Sequence, residues 1–385
     1  MPDTITTDEV RTLLQEAVGI DSVNHHFREN RAGEASLCDW VEFFLQKQGV
    51  PHHSQTVRDR QRNVIATIPG RDESQALCFE AHLDTTTARG MTVHPFAAEE
   101  VEGLLYGRGT ADCKGALVAM LAALKALSES RTPPAQTVVF AATVDREVGL
   151  TGIQRFLGAN SRPVAAVVAV PTNLAVARCI RGCLRWRIGV GESPQSYTPA
   201  TRNAISDAVF LTSRIQERIA RLAATRSHPF LGEAEVRPWR IRASGLEGFL
   251  PPHCAVDFDG YTVPGCASET LLEEIADIVS SFEAEEPTVK ISMDPPFLND
   301  PPVELPESSR LVRAAAKACH AVLGSAQTVG LRESGHANRF AAAGVEAIAL
   351  GPGDPRLARA PNEHVPVAQL VPAARIYLSL MRTGV

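Results

Sequence analysis

Several common signatures are missing from this chain of 385 residues. No block of Lys and Arg stands out and the net charge is -6, so a nucleic-acid partner is not expected. No apolar run approaches the ~18 residues that a membrane span needs, so no membrane partner is expected either. The first residues, MPDTITTDEVRTLLQEA, carry acids and lack an apolar core behind a basic start, and do not read as a signal peptide. The 8 cysteines are scattered, with no Cys-x-x-Cys spacing. In a chain this large they read as reduced thiols, and a cytoplasmic setting is expected. No internal repeat or low-complexity segment occurs. The glycines between Gly107 and Gly115 lack the spacing of a phosphate loop.

At roughly 100–200 residues per domain, this length suggests two domains. Residues 7–18 form an amphipathic pattern opened by a Thr cap and early acids, and residues 34–48 form a second. Short apolar runs at 63–68, 76–81, 137–144 and 164–170 read as strands, and the apolar run 116–127 as a buried helix. This alternation predicts an α/β fold with a mostly parallel sheet and flanking helices. The texture changes near Arg181. Strand patterns at 184–190, 236–244, 254–263 and 289–293 alternate with helix patterns at 203–223 and 268–282, the latter with Ser268 as its cap. That order predicts a small inserted α+β sandwich of ferredoxin-like order, for which the family resemblance given below implies a lid or dimerisation role. The expected division is 1–180 and 294–385 for the α/β domain, with 181–293 inserted. A helix at 311–323 and a strand at 346–350, ending in GPGD, complete the first domain.

The stretch from Ala81 to Gly115 carries the chemistry. It presents His82-Leu83-Asp84 and then Asp112, each at the end of an apolar run, as an enzyme presents metal ligands at the rim of a sheet. The GRGTADCKG motif from Gly107 to Gly115, the DREVG turn from Asp145, and GPGD followed by PNE near the end extend the pattern.

These motifs, in this order, resemble the zinc aminoacylase/exopeptidase family of carboxypeptidase G, acetylornithine deacetylase, succinyl-diaminopimelate desuccinylase and aminoacylase. The likeness runs nearly end to end. It implies that His82 is a zinc ligand oriented by Asp84, that Asp112 bridges two zinc ions, and that Glu147 is a further ligand. A carboxylate that fixes the tautomer of a liganding histidine is sensible chemistry. The family also implies a dimer, with the contact carried by the insert.

The resemblance then breaks at the residues a dinuclear zinc centre requires. The general-base Glu is Arg146, which stays protonated at any working pH. One ligand position is Val170 and another is Arg359. The insert's carbonyl-binding His aligns with Gln195, the carboxylate-binding Asn near Phe249, the following Arg near Tyr261, and the Asp of a late Gly-rich turn with His336. Asp112 and Glu147 without a cation would repel one another, and a guanidinium offers fixed charge and paired hydrogen bonds. Arg359, with Arg146, is therefore expected to replace the zinc ions electrostatically.

No cofactor is expected on this reading. Asp84, Arg146 and His336 are the catalytic candidates, and Arg359, Gln195, His82, Asp112 and Glu147 the substrate-binding ones. Metal-independent amide or acyl chemistry on a small amino-acid-like substrate is the first function. A peptidase or deacylase with one residual zinc at His82, Asp112 and Glu147 is the second, and a catalytically dead binding protein the third. A nucleophilic Cys113 needs a base such as His82 to reach it. The pairs His25-His26 and His52-His53 read as surface residues.

Overall fold

The computed structural model describes residues 5–27, 33–130, 132–159, 163–191, 202–245 and 247–385. Gln195 lies outside the described residues. The chain divides into two compact units. One comprises 1–178, 305–329 and 335–385, and the other 179–304 and 330–334.

The first unit is a mixed α/β layer structure. Its sheet runs in the order His52–Arg58, Gln61–Ile68, Gln136–Thr143, Asp72–His82, Ala165–Val168, Glu346–Ala349 and Val176–Ile180, where the chain crosses into the second unit. The middle four strands are parallel, and the two at the first edge are antiparallel. Apolar residues on both faces of these central strands require helices on both sides. The helix Gly115–Ser128 has little polarity on any side and is buried along almost its whole length. It packs against Leu370–Thr383, a helix the sequence reading did not mark. The helix Thr7–Gly19 begins with Thr6, whose hydroxyl accepts from the Glu9 amide as its cap. The strand His52–Arg58 was also missed, because its side chains are mostly polar and half-exposed at the sheet edge.

The second unit is an antiparallel sheet in the order Glu235–Ser244, His253–Thr262, Gly182–Gly191 and Ile291–Met293, with Leu298–Asp300 also on Gly182–Gly191. The helices Ala204–Ala224 and Ser268–Glu285 contribute to its own core, around Trp186 stacked on Phe258 at 5.2 Å. This unit continues past residue 293 because the strand Leu298–Asp300 adds to its sheet. Ser268 does not cap the second helix. Ala267 holds the cap position, and the Ser268 hydroxyl bonds Asn299 Oδ1 at 2.7 Å.

Candidate functional site

Parallel strands collect their C-terminal ends at one edge, which is where open α/β sheets place ligands. Asp72–His82 ends on His82, in register with Thr143 at the end of Gln136–Thr143. The loops leaving these strands carry Asp84 and the DREVG turn. All the residues below belong to the first unit.

Asp84 meets His82 through its backbone oxygen as well as its carboxylate. The His82 Nδ1 bonds the backbone oxygen of Asp84 at 2.9 Å, while the carboxylate lies 3.7 Å away. The carboxylate accepts from Asn24 Nδ2 at 2.8 Å, the Arg146 amide at 2.9 Å and the Glu147 amide at 2.8 Å. Asp84 thus pins the turn that presents Arg146 and Glu147. Burial opposes its charge, but His82 and then Asn24 hold the carboxyl down to about 2. A carboxylate so fully occupied is a positioning group, and no proton is left for it to move.

Asp145 closes the same turn from a left-handed backbone (φ 62°). It accepts from Asn24 Nδ2, the Gly149 amide and the Thr151 hydroxyl. Asp112 is set from the other side. Glu363 accepts from the Ala111 and Asp112 amides at 3.1 and 3.0 Å, and from Arg108 Nη1 at 2.6 Å. Gly109, in the same loop, has φ 87°, and an added Cβ would lie 2.7 Å from Thr85 Cγ2. Only glycine satisfies both constraints.

At the centre, Asp112 and Glu147 share two guanidiniums. Arg146 Nη1 is 3.1 Å from Glu147 Oε1 and 3.8 Å from Asp112 Oδ2. Arg359 Nε is 3.1 Å from Glu147 Oε2 and 4.0 Å from Asp112 Oδ2. Arg359 holds a left-handed backbone (φ 64°), a conformation that costs a non-glycine residue on the order of 1 kcal/mol and points to a constraint on its side chain. Burial opposes charge on Asp112, yet Arg146 and then His82 hold its carboxyl well below the usual range. Burial pushes Glu147 up to about 7 against the pull of Arg146. Arg146 and then His82 are what favour its charged form.

His82 Nε2 lies 3.1 Å from Asp112 Oδ1. Both ring nitrogens therefore face acceptors, and both must carry protons to be satisfied. Burial disfavours that charge, but the Asp112 and Asp84 carboxylates hold the ring well above its ordinary value. The Cys113 thiol donates to the His82 carbonyl at 3.3 Å, and burial raises its pKa. A buried, protonated thiol bonded to a carbonyl is a poor nucleophile.

His336 stands beside this group, with its ring 6.3 Å from that of His82. It is bonded to Glu80, a residue the sequence reading passed over because it sits inside an apolar strand. The strap from Asn24, the Glu363–Arg108 pair and Asp145 were missed as well. Each acts through tertiary pairing that no local spacing announces.

The guanidiniums of Arg146 and Arg359 lie beside Asp112 and Glu147, two of the residues that the resemblance names as zinc ligands. For a single ion, the donor atoms of His82, Asp112 and Cys113 lie within 4.8 Å of one another.

A parallel sheet with acidic and basic residues gathered at its C-terminal rim, plus an antiparallel second unit, is the framework of metal-dependent exopeptidases and deacylases. The chain belongs to peptidase family M20/M25/M40, whose profile matches residues 78–383. It is 28% identical over 386 residues to an acetylornithine deacetylase of Myxococcus xanthus, with 96% of each chain covered. It is 27% identical to a putative [LysW]-lysine/[LysW]-ornithine hydrolase of Pyrobaculum aerophilum, with 95% of each covered. Among solved structures, an M20 family metallo-carboxypeptidase of Sulfolobus solfataricus superposes with a TM-score of 0.76 at 16% identity, covering 97% of this chain and 99% of that one. A dinuclear metal-binding M20 peptidase of Bacillus subtilis gives 0.71 at 16% identity, covering 97% of both. The fold and family expected from the motifs are those found.

Proposed function

We propose that this divergent member of an amidohydrolase and peptidase family handles a small, anionic amino-acid-derived amide without a dinuclear zinc centre. The observation that carries this reading is the pair of guanidiniums lying between Asp112 and Glu147. Arg146 and Arg359 supply fixed positive charge where the family's chemistry uses metal. Oriented donors in a poorly hydrated site stabilise a carboxylate, or an oxyanion as it develops, without reorganising. Arg359 is the more exposed of the two, at 37% against 9% for the Arg146 side chain, and is the one an arriving ligand meets. Hydrolysis, acyl transfer, condensation and cyclisation of an amide all place negative charge on one oxygen, and all suit this arrangement.

The test is elemental analysis of protein purified without chelator, paired with calorimetric titration of N-acetyl-L-ornithine. Less than 0.2 zinc per chain with measurable binding supports the reading, and two metals per chain overturn it.

A second reading is a deacylase or peptidase with one metal. It is favoured by the convergence of His82, Asp112 and Cys113, and by the names of the relatives. Zinc at one equivalent, lost with activity on dialysis against chelator, would select it.

The protein is proposed to form a homodimer through its second unit. Among the described residues the strand Glu235–Ser244 pairs on one side only, with His253–Thr262, and Ile205, Val209 and Ile241 are exposed in the same unit. Light scattering that finds only monomer would remove this. No helix among the described residues is long and apolar enough to cross a membrane. All the cysteines are free and buried, which supports a reducing, cytoplasmic setting.

A further inference from the structure

Among the described residues, two groups of side chains converge closely enough to hold a metal ion. One is that of His82, Asp112 and Cys113. The other lies wholly in the second unit, and nothing in the site described above uses it. The donor atoms of Cys179, His228 and Glu304 all lie within 4.8 Å of one another. Cys179 and His228 are buried, while the Glu304 side chain is 42% exposed. An ion therefore has its way in from the carboxylate side.

Three separate segments build this group. Cys179 lies near the end of the strand Val176–Ile180, and Glu304 stands directly opposite it on the short antiparallel strand Val303–Glu304. Residues opposite one another in such a pair carry their side chains on one face. His228 opens a tight hairpin, in which its amide and carbonyl exchange bonds of 2.8 Å with Gly232. Gly232 takes φ 76°, a backbone that favours glycine. Arg181, two residues beyond Cys179, anchors the hairpin. It donates from Nε to the Leu231 oxygen at 3.1 Å and from Nη2 to the Glu233 oxygen at 2.6 Å. Inside the hairpin, His228 Nδ1 accepts from the Phe230 and Leu231 amides at 3.2 and 3.3 Å. The ring is thereby turned so that Nε2 faces Glu304 Oε1 at 3.4 Å.

The chemistry of these donors is that of a zinc site. Thiolate, imidazole and carboxylate are all ligands of zinc, and three of them leave its fourth position to water. The sulfur speaks against magnesium and calcium, which take oxygen. Charge agrees as well. A thiolate and a carboxylate together cancel the two charges of the ion, so the neighbouring Arg181 guanidinium does not oppose a loaded site.

We propose that Cys179, His228 and Glu304 form a zinc-binding site that clasps the two ends of the long segment of the second unit. Cys179 is the first residue of that segment and Glu304 the last. The protons can be followed. As the sulfur–metal bond forms, the thiol gives up its proton to solvent. The neutral ring carries its proton on Nε2 while Nδ1 accepts, and moves it to Nδ1 to offer the Nε2 lone pair. The two long bonds from the Phe230 and Leu231 amides are exchanged for the bond to the metal. A cross-link that closes so long a stretch restricts the unfolded chain, so the ion stabilises the fold.

The test uses the full-length protein and cobalt(II), which occupies zinc sites and reports a bound thiolate by a charge-transfer band in the near ultraviolet. We expect the wild type to show this band. Cys179→Ser should bind one ion fewer and lose the band, whereas Cys113→Ser should keep it. His228→Gln removes a ligand, and should weaken binding by at least the roughly 10–100-fold that follows loss of a supporting partner alone. Added zinc should displace the cobalt and raise the Tm of the wild type by more than that of Cys179→Ser. A wild type without the band overturns the site. So does a band lost in Cys113→Ser and kept in folded Cys179→Ser. Glu304→Gln changes an exposed side chain and keeps the test decisive if Cys179→Ser does not fold. Unchanged cobalt affinity in both Glu304→Gln and His228→Gln overturns the proposal. The outcome does not depend on how the first unit works. Zinc counted in Cys179→Ser reports on the first unit alone, so the two questions are answered separately.

Discussion

The two units of this chain hold their charges in different ways. In the first, Asp112, Glu147 and Arg146 have side chains no more than 9% exposed and form one closed network with His82 and Arg359. In the second, Arg185, Arg187, Arg237, Arg240 and Arg242 stand 35–60% exposed on one face of an antiparallel sheet, around Asp257 and Asp259. The register explains the second pattern. Arg187 and Arg240 are both opposite Asp257, and Arg185 and Arg237 are both opposite Asp259, so like-facing residues alternate across three strands. The arginines of these pairs reach water even where the carboxylate beneath them is buried, as Asp257 is at 2%, and with several arginines on one carboxylate each is individually worth little. The pairs of the first unit are cut off from water, and removing one partner strands the other. Dense charge therefore means a site in the first unit and a solvated face in the second.

This contrast can be broken in order of effect. The largest loss is expected for Glu363→Ala. It frees the Arg108 guanidinium and two loop amides in a buried place, and should destabilise the chain by about 3 kcal/mol in urea melts. A loss under about 1 kcal/mol would mean that water replaces the carboxylate without cost. Arg359→Ala should cost only about 1 kcal/mol of stability, because its side chain is 37% exposed. It should nevertheless abolish whatever binding of N-acetyl-L-ornithine calorimetry finds for the wild type. Full binding would end the argument that arginine stands in for metal. Arg146→Glu is not expected to create a zinc enzyme, since Val170 and Arg359 remain, and mass spectrometry after zinc addition checks this.

A pH effect comes next. Burial, then Asp84, pushes Glu34 from the ordinary 4.5 up to about 7. Glu34 thus takes up a proton on folding between these values. Its stabilising contribution is present at low pH and is lost as the pH rises through about 7. Glu34→Gln should flatten that slope and gain on the order of 2 kcal/mol over wild type at pH 8. Unchanged curvature in the stability–pH profile would show that Glu34 is charged in the folded protein. The smallest effect belongs to the second unit. Arg242→Ala, 3.6 Å from an Asp257 already held by Arg187 and Arg240, should change stability by less than about 0.5 kcal/mol.

Much of the architecture could be read along the chain. Apolar runs of strand length alternating with helical periods predicted the parallel sheet, and the change of texture near Arg181 predicted a second unit of different build. The missed elements have physical reasons. The helix Leu370–Thr383 is stabilised by its packing on Gly115–Ser128, and the strand His52–Arg58 by pairing with Gln61–Ile68. The strand carries no strong local signal, whereas the helix does have an apolar stripe at helical spacing and was overlooked. Ser268 was misjudged because a residue suited to capping has another use once Asn299 arrives from a distant strand.

The candidate site divides along the same line. The sequence by itself determined which residues could not act. A valine at position 170 and an arginine at 359 are unable to ligate zinc in the family's manner, and an arginine at 146 is unable to serve as its general base, as side-chain chemistry alone says. Only the tertiary structure decided what those residues do instead. It brings Arg146 and Arg359, more than two hundred positions apart in the chain, to the same two carboxylates. It turns the Asp84 carboxylate towards the amides of the DREVG turn and leaves its backbone to orient His82. It also joins Glu80 to His336 across strand and helix. Charge–charge contacts between distant segments depend on distance and burial, and both are set only when the sheet has formed and its strand ends have been drawn to one edge.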